Sequence, residues 1–362
     1  MKITFPHMGN LYVGLKGVFE DLGVEVICPP KCSKTTLEIG ARYSPEQICI
    51  PFKITLGNYL ESIKLGADTL FMWGGCDACR IGFYNTLHKL ILKDLGYDIE
   101  LICVKQLNSP ERIKTFLEQL KSVSGNASYF KLISLFKKGV ELIYKIEALD
   151  ELALKVRPRE IKKGSVDSLY DRFEKEIYKV KGCAETSELI EKYIKELKSI
   201  PIDKNKACLK IGIVGEIYTV VEPFINLNIV KKLGNMGVEV DMAVTTGRFL
   251  KEQIDFLPFV KSKKKEIHKA AAPYINLEIG GHARHTVGET ILYGESNYNG
   301  VIHLLPFTCM PEIVAQSILP TVEKNLNIPI LKLVLDEMTG EAGYLTRLEA
   351  FVDLLNRRKE II

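Results

Sequence analysis

The strongest constraint on the fold is an alternation, repeated twice along the chain, of short apolar runs with longer runs of helical periodicity. Short apolar runs bounded by turn residues are typical of buried parallel strands, and helical spacing between them indicates crossover helices. The first alternation has predicted strands at Ile3–Phe5, Val24–Cys28, Thr69–Trp73 and Ile99–Val104, and predicted helices at Leu11–Leu22, Phe52–Leu65 and Ile81–Leu95. The second has predicted strands at Leu209–Gly215, Val238–Val244, Ile275–Ile279, Gly300–Leu305 and Ile328–Leu335, and predicted helices at Pro223–Leu233, Pro311–Lys324 and Tyr344–Leu355. We therefore predict an α/β fold of two doubly wound, Rossmann-like parallel-sheet domains.

A charged tract separates the two alternations. Residues 111–210 contain 22 Lys and Arg and 16 Asp and Glu, although the net charge of the whole chain is only +4. Apolar residues recur in this tract at helical spacing, as in Leu132, Phe136, Val140 and Ile143. We predict three parts: an N-terminal α/β domain over 1–108 that holds most of the candidate ligands, a charged helical segment over 109–206, and a C-terminal α/β domain over 207–362 that supplies Cys309.

Composition and patterning argue against several classes of protein. Charges interrupt every apolar run before the roughly 18 residues that a membrane span needs, and the N-terminus leads directly into a strand. We therefore expect a cytoplasmic protein that does not bind a membrane. The charged tract mixes both signs and lacks aromatic residues interleaved with basic ones, which argues against nucleic-acid binding. Nine cysteines in such a chain favour metal binding or redox chemistry over a disulfide framework.

Two cysteines share a pattern that predicts a thiol at the start of a helix. Each begins a C-x-P sequence, Cys49-Ile50-Pro51 and Cys309-Met310-Pro311, and a helical pattern follows. Proline suits the first turn of a helix, because the N–H that it lacks would have no intrahelical partner there. A helix N-terminus also favours a negatively charged thiolate. Cys49 and Cys309 are therefore candidate ligands of a soft metal.

Further cysteines lie close to the ends of predicted strands. Cys28 and Cys32 belong to the sequence C-P-P-K-C, and Cys76 and Cys79 form a C-x-x-C directly after the predicted strand Thr69–Trp73. Because parallel sheets bind ligands at the carboxyl ends of their strands, cysteines far apart in the sequence could face one cleft. A C-x-x-C can bind a metal or act as a dithiol redox pair, and both remain open. The remaining cysteines are interpreted as small buried apolar residues: Cys103, Cys183 and Cys208.

Histidines provide an alternative ligand set. His282 and His285, in the sequence G-G-H-A-R-H, could join the cysteines in a zinc site, which needs four nitrogen or sulfur ligands. Typical zinc sites have two C-x-x-C or H-x-x-H blocks close together in the sequence, and this chain has no such closely spaced blocks, so we rank zinc below the other interpretations. His303 lies within a strand-like run and is interpreted as a hydrogen-bonded histidine of the core.

The cysteine motifs resemble those of a known family. The stretches 44–53, 79–84 and 306–312 are similar to the cysteine motifs of proteins related to 2-hydroxyacyl-CoA dehydratases and their activators, which include CoA-activase-like proteins and double-cubane cluster proteins. The similarity extends to Gly215-Glu216-Ile217-Tyr218 and to 336–340, and it is weak in the charged tract.

The resemblance implies an iron–sulfur cluster held by cysteines of two α/β domains. The implied ligands are Cys49, Cys79 and Cys309, which would hold one 4Fe-4S cubane with three thiolates and leave one iron open. Cys28, Cys32 and Cys76 are additional to that pattern. They are either bystanders or ligands of a second cubane, as in a double-cubane 8Fe-9S cluster, and the cluster type is left open.

The resemblance also implies a function. We expect a cytoplasmic iron–sulfur protein of an anaerobe, a homodimer, that accepts low-potential electrons from an ATP-hydrolysing activase and reduces or dehydrates a small substrate. The chain lacks the G-x-x-x-x-G-K-[ST] phosphate loop, so ATP use is assigned to the partner. The alternative is a non-catalytic electron relay or cluster carrier for a separate dehydratase, and a zinc or dithiol-redox protein ranks third. The sequence assigns no catalytic residue, and it leaves the roles of His282, His285, Glu216 and Glu337 open.

Overall fold

A computed structural model describes residues 1–74, 79–105, 107–253 and 261–361. The chain forms two compact units, and each unit is assembled from several stretches of sequence. The first unit contains Met1–Glu147, Ile177–Ile190 and Thr246–Ser262, and the second contains Ala148–Glu176, Glu191–Thr245 and Lys263–Ile362. The predicted boundaries at 108 and 206 remain predictions.

The first unit is built on a four-stranded parallel sheet with the order β2-β1-β3-β4. Crossover helices connect its strands, as expected for parallel neighbours. Its strands are β1 (Lys2–Thr4), β2 (Glu25–Val26), β3 (Thr69–Trp73) and β4 (Glu100–Val104), and its helices begin with α1 (Leu11–Asp21), α2 (Lys34–Tyr43), α3 (Ile50–Lys64) and α4 (Tyr84–Asp94). A short 3₁₀ turn, Arg80–Phe83, precedes α4.

The second unit repeats this design with the strand order β6-β5-β7-β8, again all parallel. Every residue of β7 is buried, which accounts for the continuous apolar run that predicted it. The strands are β5 (Lys210–Gly215), β6 (Glu239–Met242), β7 (Gly300–Pro306) and β8 (Ile330–Leu335). The helices are α9 (Ile217–Val221), α10 (Ile229–Asn235), α12 (Lys264–Ala271), α13 (Ala283–Glu295), α14 (Met310–Leu326) and α15 (Glu341–Ile361). The predicted class, two Rossmann-like parallel-sheet parts in an α/β chain, is confirmed.

The charged tract is helical. It forms α5 (Pro110–Val123), α6 (Tyr129–Val156), a 3₁₀ turn at Arg157–Arg159, α7 (Ser165–Ile177) and α8 (Gly182–Lys198). The remaining helix, α11 (Thr246–Gln253), lies outside this tract and follows β6. Proline at the first position of α5 and a Ser109 side chain that accepts a hydrogen bond from Arg112 N start that helix as the sequence suggests. Among the helices of the described ranges, none has both the length and the apolarity that crossing a membrane requires.

Two sequence predictions were wrong in detail. Ile275–Ile279 is an irregular connection between α12 and α13 and not a strand. Its alternating apolar residues imitate a strand, but Ile275 packs into the core between those two helices and Leu277 is 69% exposed. The predicted helix Pro223–Leu233 is replaced by the shorter α10, because Leu227 and Asn228 both adopt positive φ, which no right-handed helix can contain.

The backbones of α2 and α3 touch at two glycines. A Cβ atom on Gly40 would lie 1.7 Å from the carbonyl oxygen of Lys53, and one on Gly57 would lie 2.1 Å from that of Thr36. Almost every residue of the first two turns of α3 is buried, so this helix cannot move away from α2 without opening the core. The close contact therefore fixes the position of α3, and with it the position of Cys49 at the start of that helix.

We predict that Gly40→Ala destabilises the protein by about 3 kcal/mol, because backbone atoms would have to separate to admit the methyl group. The measurement is the free energy of unfolding in urea. Gly343→Ala is the matched control: this glycine lies in α15 with no atom within 4 Å of an added Cβ, and there alanine should stabilise by roughly 0.5–1 kcal/mol. Equal effects of the two substitutions would contradict this account of the contact between α2 and α3.

Candidate functional site

Cys49 lies at the N-cap position of α3, as its C-x-P sequence predicts. Its backbone is extended, Pro51 is in the first turn, and no side chain caps the helix by a hydrogen bond. The first N–H groups of a helix lack intrahelical partners and carry partial positive charge. The Cys49 side chain is only 8% exposed. The sequence therefore places a buried sulfur where the local potential favours its thiolate form.

A second positive charge lies in the first turn of α3. The side chain of Lys53 is buried, and its ammonium donates a hydrogen bond to the carbonyl oxygen of Glu46, 3.1 Å away, in the loop that leads to Cys49. A cation so close to a helix N-terminus is electrostatically unfavourable, because it lies at the positive end of the helix dipole. An anion bound beside Cys49 would offset both the charge of Lys53 and the partial positive charge of the helix start. This end of α3 is therefore suited to a negatively charged group.

Cys49 belongs to a core cluster that contains the aromatic side chains of Phe52 and Tyr84. The hydroxyl oxygen of Tyr84, the first residue of α4, lies 2.6 Å from the Cys49 Sγ atom. The Tyr84 ring packs edge-on against Phe52, with centroids 5.0 Å apart, and contacts His88 one turn along α4. His88 is stacked on Phe52, and its Nε2 atom lies 3.1 Å from the hydroxyl of Thr55. Burial lowers the pKa of His88 to about 3, so this imidazole is neutral.

Cys79 lies beside the segment that leads to Cys49. It is the half-buried N-cap residue of the 3₁₀ turn before α4. The adjacent Arg80 donates a hydrogen bond from Nη1 to the carbonyl oxygen of Gln47, two residues before Cys49, over 3.1 Å. This bond and the contact between Tyr84 and Cys49 tie the two cysteine segments together at the carboxyl end of β3. Cys76, the other cysteine of the C-x-x-C, lies outside the described residues.

Cys28 and Cys32 form a second group of thiols in the first unit. The Nδ2 atom of Asn58 in α3 lies 3.6 Å from the Cys32 sulfur. Asn58 is nine residues beyond Cys49, which corresponds to about 13 Å along a helix that rises 1.5 Å per residue. Burial raises the pKa of the Cys28 thiol to about 11, and the nearby charge of Lys16 opposes that shift. Without a metal, the Cys28 thiol is therefore protonated at neutral pH.

The loop that carries Cys28 and Cys32 is fixed by His7. The Nε2 atom of His7 lies 3.0 Å from the carbonyl oxygen of Pro29, and its backbone N–H donates to the Asn58 Oδ1 atom over 3.0 Å. Desolvation lowers the pKa of His7 to about 4, so the ring is neutral. Sequence analysis missed both His7 and Asn58, because their roles depend on contacts between distant segments.

Cys309 repeats the arrangement of Cys49 in the second unit. It is the buried N-cap residue of α14, with Pro311 in the first turn. The preceding residue, Thr308, has a φ of 68°, which reverses the chain between β7 and α14. Gly281 packs against the first turn of α14. A Cβ atom at this position would lie only 2.8 Å from the Pro311 side chain, so there is no room for a larger residue without movement. The second C-x-P prediction is thus also confirmed as a cysteine at a helix start.

A buried polar network lies behind the first turn of α14. The Oε2 atom of Glu312 accepts a hydrogen bond from the Thr286 hydroxyl over 2.9 Å and lies 2.8 Å from the Nε2 atom of His303. His303 and Glu312 are both fully buried. His303 is thus the hydrogen-bonded core histidine that the sequence predicts. Burial, reinforced by the charge of Glu312, raises the pKa of Glu216, whose carboxylate accepts hydrogen bonds from the backbone of Tyr218 and Thr219.

The histidines of the G-G-H-A-R-H sequence cluster with a third imidazole. His285 lies between His282 and His268, with ring centroids 5.6 Å and 4.9 Å away. Arg284 donates a hydrogen bond to Glu278 over 2.6 Å. Burial lowers the pKa of His268 to about 4, with His285 and Arg284 adding to the shift. Within the part of the chain that the structure describes, no three His, Cys, Asp or Glu side chains are arranged to bind a metal ion.

A family model matches part of the first unit. Residues 7–73 fit the family model described as "CoA enzyme activase uncharacterised domain". The match begins just after β1 and ends with β3, so it includes Cys28, Cys32 and Cys49 and stops before Cys79. It agrees with the resemblance to CoA-activase-related proteins, and it does not concern a cluster. The comparison with curated proteins gives no match.

We predict that His303→Leu costs about 3 kcal/mol of stability, because it leaves the carboxylate of Glu312 buried without its imidazole partner. The double variant His303→Leu, Glu312→Met should recover part of that loss, since it removes both polar partners at similar volume. Urea unfolding of the two single variants and the double variant measures the coupling. Strictly additive losses would show that the two side chains do not depend on each other.

Proposed function

We propose that this chain is an iron–sulfur protein that takes low-potential electrons from an ATP-hydrolysing activase and uses them to reduce or dehydrate a small substrate. The observation that carries the proposal is the pairing of two cysteine segments at one end of the first sheet. Cys49 caps α3 and Cys79 caps the turn before α4, and the contacts Arg80–Gln47 and Tyr84–Cys49 join the two segments. Two thiols on neighbouring segments, one of them at a helix N-terminus with a lysine in its first turn, suit a soft metal.

The chemistry of this setting fits an iron–sulfur cluster. Such clusters are held by thiolates, and their net charge is negative when cysteines are the ligands. The end of α3 offers helix N–H groups and the ammonium of Lys53 to balance that charge. In the second unit, the N-terminus of α14 offers helix N–H groups to Cys309, and its first turn holds the buried Glu312 in place of a cation. The donor atoms are therefore of the right kind, and the start of α3 surrounds one of them with favourable positive charge.

The ligands that we propose are Cys49, Cys79 and Cys309. A cluster held by three cysteines supplies one-electron chemistry and an iron with an open coordination position. Cys28, Cys32 and Cys76 are the proposed additional ligands if the cluster is an 8Fe-9S double cubane. Cys32 is associated with α3 about 13 Å beyond Cys49, so a second cubane would extend along that helix. The iron content, about four or about eight per chain, distinguishes the two forms.

The chain's other residues would position these ligands. In the first unit, the Tyr84 hydroxyl contacts the Cys49 sulfur, Phe52 packs against the Tyr84 ring, and Cys49 is largely shielded from water. In the second, Glu312 joins the first turn of α14 to β7 and α13 through His303 and Thr286, which fixes the helix that Cys309 caps. Both arrangements hold a sulfur in place before any metal binds, which lowers the entropic cost of binding.

The proposed partner is an activase. The match of residues 7–73 to a CoA enzyme activase domain supports a role in an activase and dehydratase system. The chain lacks a phosphate-binding loop of its own, which is why ATP hydrolysis is assigned to the partner. A homodimer, a cytoplasmic location and a small-molecule substrate belong to the same proposal.

The second candidate is an electron relay that passes electrons to a separate dehydratase. The burial of Cys49 and Cys309 favours it, because a buried centre can exchange electrons without admitting a substrate. A dithiol or zinc protein ranks third. The His268, His282 and His285 cluster is the feature nearest to a zinc site, but its side chains are not arranged to bind a metal.

We predict that Cys49→Ala and Cys79→Ala each lose most of the iron of the protein purified without oxygen. Each substitution removes the sulfur of a proposed ligand and adds no atom that the neighbouring side chains would have to accommodate. Iron per chain is measured by mass spectrometry. Cys208→Ala is the matched control, since Cys208 is half-buried and lies just before β5, and this variant should keep the iron of the unmodified protein. Full iron in both ligand variants would exclude these two cysteines as ligands.

We predict that reduction of the protein requires both the activase and ATP. The test mixes the oxidised chain with a reduced donor protein and follows the visible absorbance with and without activase and ATP. Reduction followed by multiple turnovers of a 2-hydroxyacyl-CoA thioester supports the enzyme, whereas reduction with turnover only after a separate dehydratase is added supports the relay. If the isolated chain hydrolyses ATP and becomes reduced by itself, the assigned roles are wrong.

A further inference from the structure

We propose that Tyr84 sets the reduction potential of the cluster by donating a hydrogen bond to the sulfur of Cys49. Tyr84 is in this view a positioning residue that acts through a ligand. The inference rests on the proposed function, because it takes Cys49 to be a ligand of an iron–sulfur cluster. It gives a role to Tyr84, which belongs to the stretch 79–84 but to which the sequence analysis assigns no function, and which lies beyond the family match over residues 7–73.

The geometry leaves the Tyr84 hydroxyl in one place. Its oxygen lies 2.6 Å from the Cys49 sulfur, and the side chain is 2% exposed. Phe52 packs edge-on against one part of the ring and His88 contacts another, so the ring cannot swing its hydroxyl towards water. Tyr84 is also the first residue of α4, directly after the 3₁₀ turn that Cys79 caps. One short segment therefore carries one proposed ligand and contacts another.

The direction of the hydrogen bond follows from the chemistry of the ligand. Metal binding deprotonates a cysteine, and a thiolate has lone pairs but no hydrogen to donate. The phenol must therefore donate to the sulfur. The neighbouring His88 contributes no positive charge there, because its pKa is lowered to about 3 by burial. Tyr84 thus supplies a neutral donor next to the sulfur.

Such a bond shifts the potential in a known direction. Hydrogen bonds to cluster sulfurs are one of the main determinants of potential, together with net charge and solvent exposure. A donor stabilises a sulfur more strongly as the cluster becomes more negative, and therefore stabilises the reduced form more than the oxidised form. The Tyr84 hydroxyl should raise the potential, so that the cluster accepts an electron more readily from its donor.

The test is a redox titration of the purified, iron-loaded Tyr84→Phe variant, followed by its visible and electron paramagnetic resonance spectra. Losing a charge-assisted hydrogen bond should lower the equilibrium constant for one-electron reduction about tenfold, which is about 59 mV towards more negative potential. Iron per chain should stay as in the unmodified protein. An unchanged potential with full iron content would overturn the proposal.

The matched control is Tyr59→Phe. Tyr59 is fully buried in α3 and contacts His88 in the same aromatic cluster, but its hydroxyl donates to the carbonyl oxygen of Phe71 and not to a sulfur. This control should leave the potential unchanged. If both variants shift the reduction potential equally, the effect comes from the packing of the aromatic side chains and not from the hydrogen bond to the sulfur. The proposal would then be wrong.

A second variant keeps the test decisive if Tyr84→Phe fails to hold iron. A singly ring-fluorinated tyrosine at position 84 keeps the shape of the side chain and makes the hydroxyl a stronger donor. It should shift the potential in the positive direction, and no shift would contradict the proposal. If the unmodified protein itself holds no iron–sulfur cluster, the proposed function fails first. That outcome differs from a protein that contains the iron–sulfur cluster but whose reduction potential does not change when Tyr84 is substituted.

Discussion

The central physical constraint in this molecule is the use of cysteine as the residue that caps a helix at the carboxyl end of a parallel sheet. The usual capping side chains satisfy the first N–H groups of a helix with an oxygen. At Cys49 and at Cys309 a sulfur occupies that position, and no side-chain cap forms. The partial positive charge of the helix start is therefore directed at a thiol. Everything that we infer about function depends on that exchange of oxygen for sulfur.

The two units use the same helix start and support it differently. Around Cys49 the support is aromatic: Phe52, Tyr84 and His88 pack together, and the Tyr84 hydroxyl contacts the sulfur. Around Cys309 the support is polar: Glu312 joins α14 to the neighbouring strand and helix through fully buried hydrogen bonds. Aromatic packing excludes water and lowers the local dielectric constant, whereas the buried hydrogen bonds of Glu312 hold α14 by directional polar contacts. The two sulfurs thus lie in chemically distinct settings.

The sequence alone predicted the features that are encoded in the spacing of neighbouring residues, namely most of the strands and helices. The alternation of apolar runs gave both parallel sheets, and C-x-P gave both capped helix starts. It failed where local spacing imitates something else, as at Ile275–Ile279, whose alternation reflects packing between two helices and not a strand. It could not find Tyr84 or Asn58, because their contacts with cysteines join segments more than twenty residues apart. A buried tyrosine carries no local signal that its hydroxyl faces a sulfur.

The central claim is that these helix starts hold iron and sulfide. The most direct measurement is the content of iron, acid-labile sulfide and zinc in the full chain after purification without oxygen. The account predicts at least about four irons per chain, with a similar amount of sulfide and no stoichiometric zinc. A colourless protein that contains one zinc per chain and no labile sulfide would contradict it.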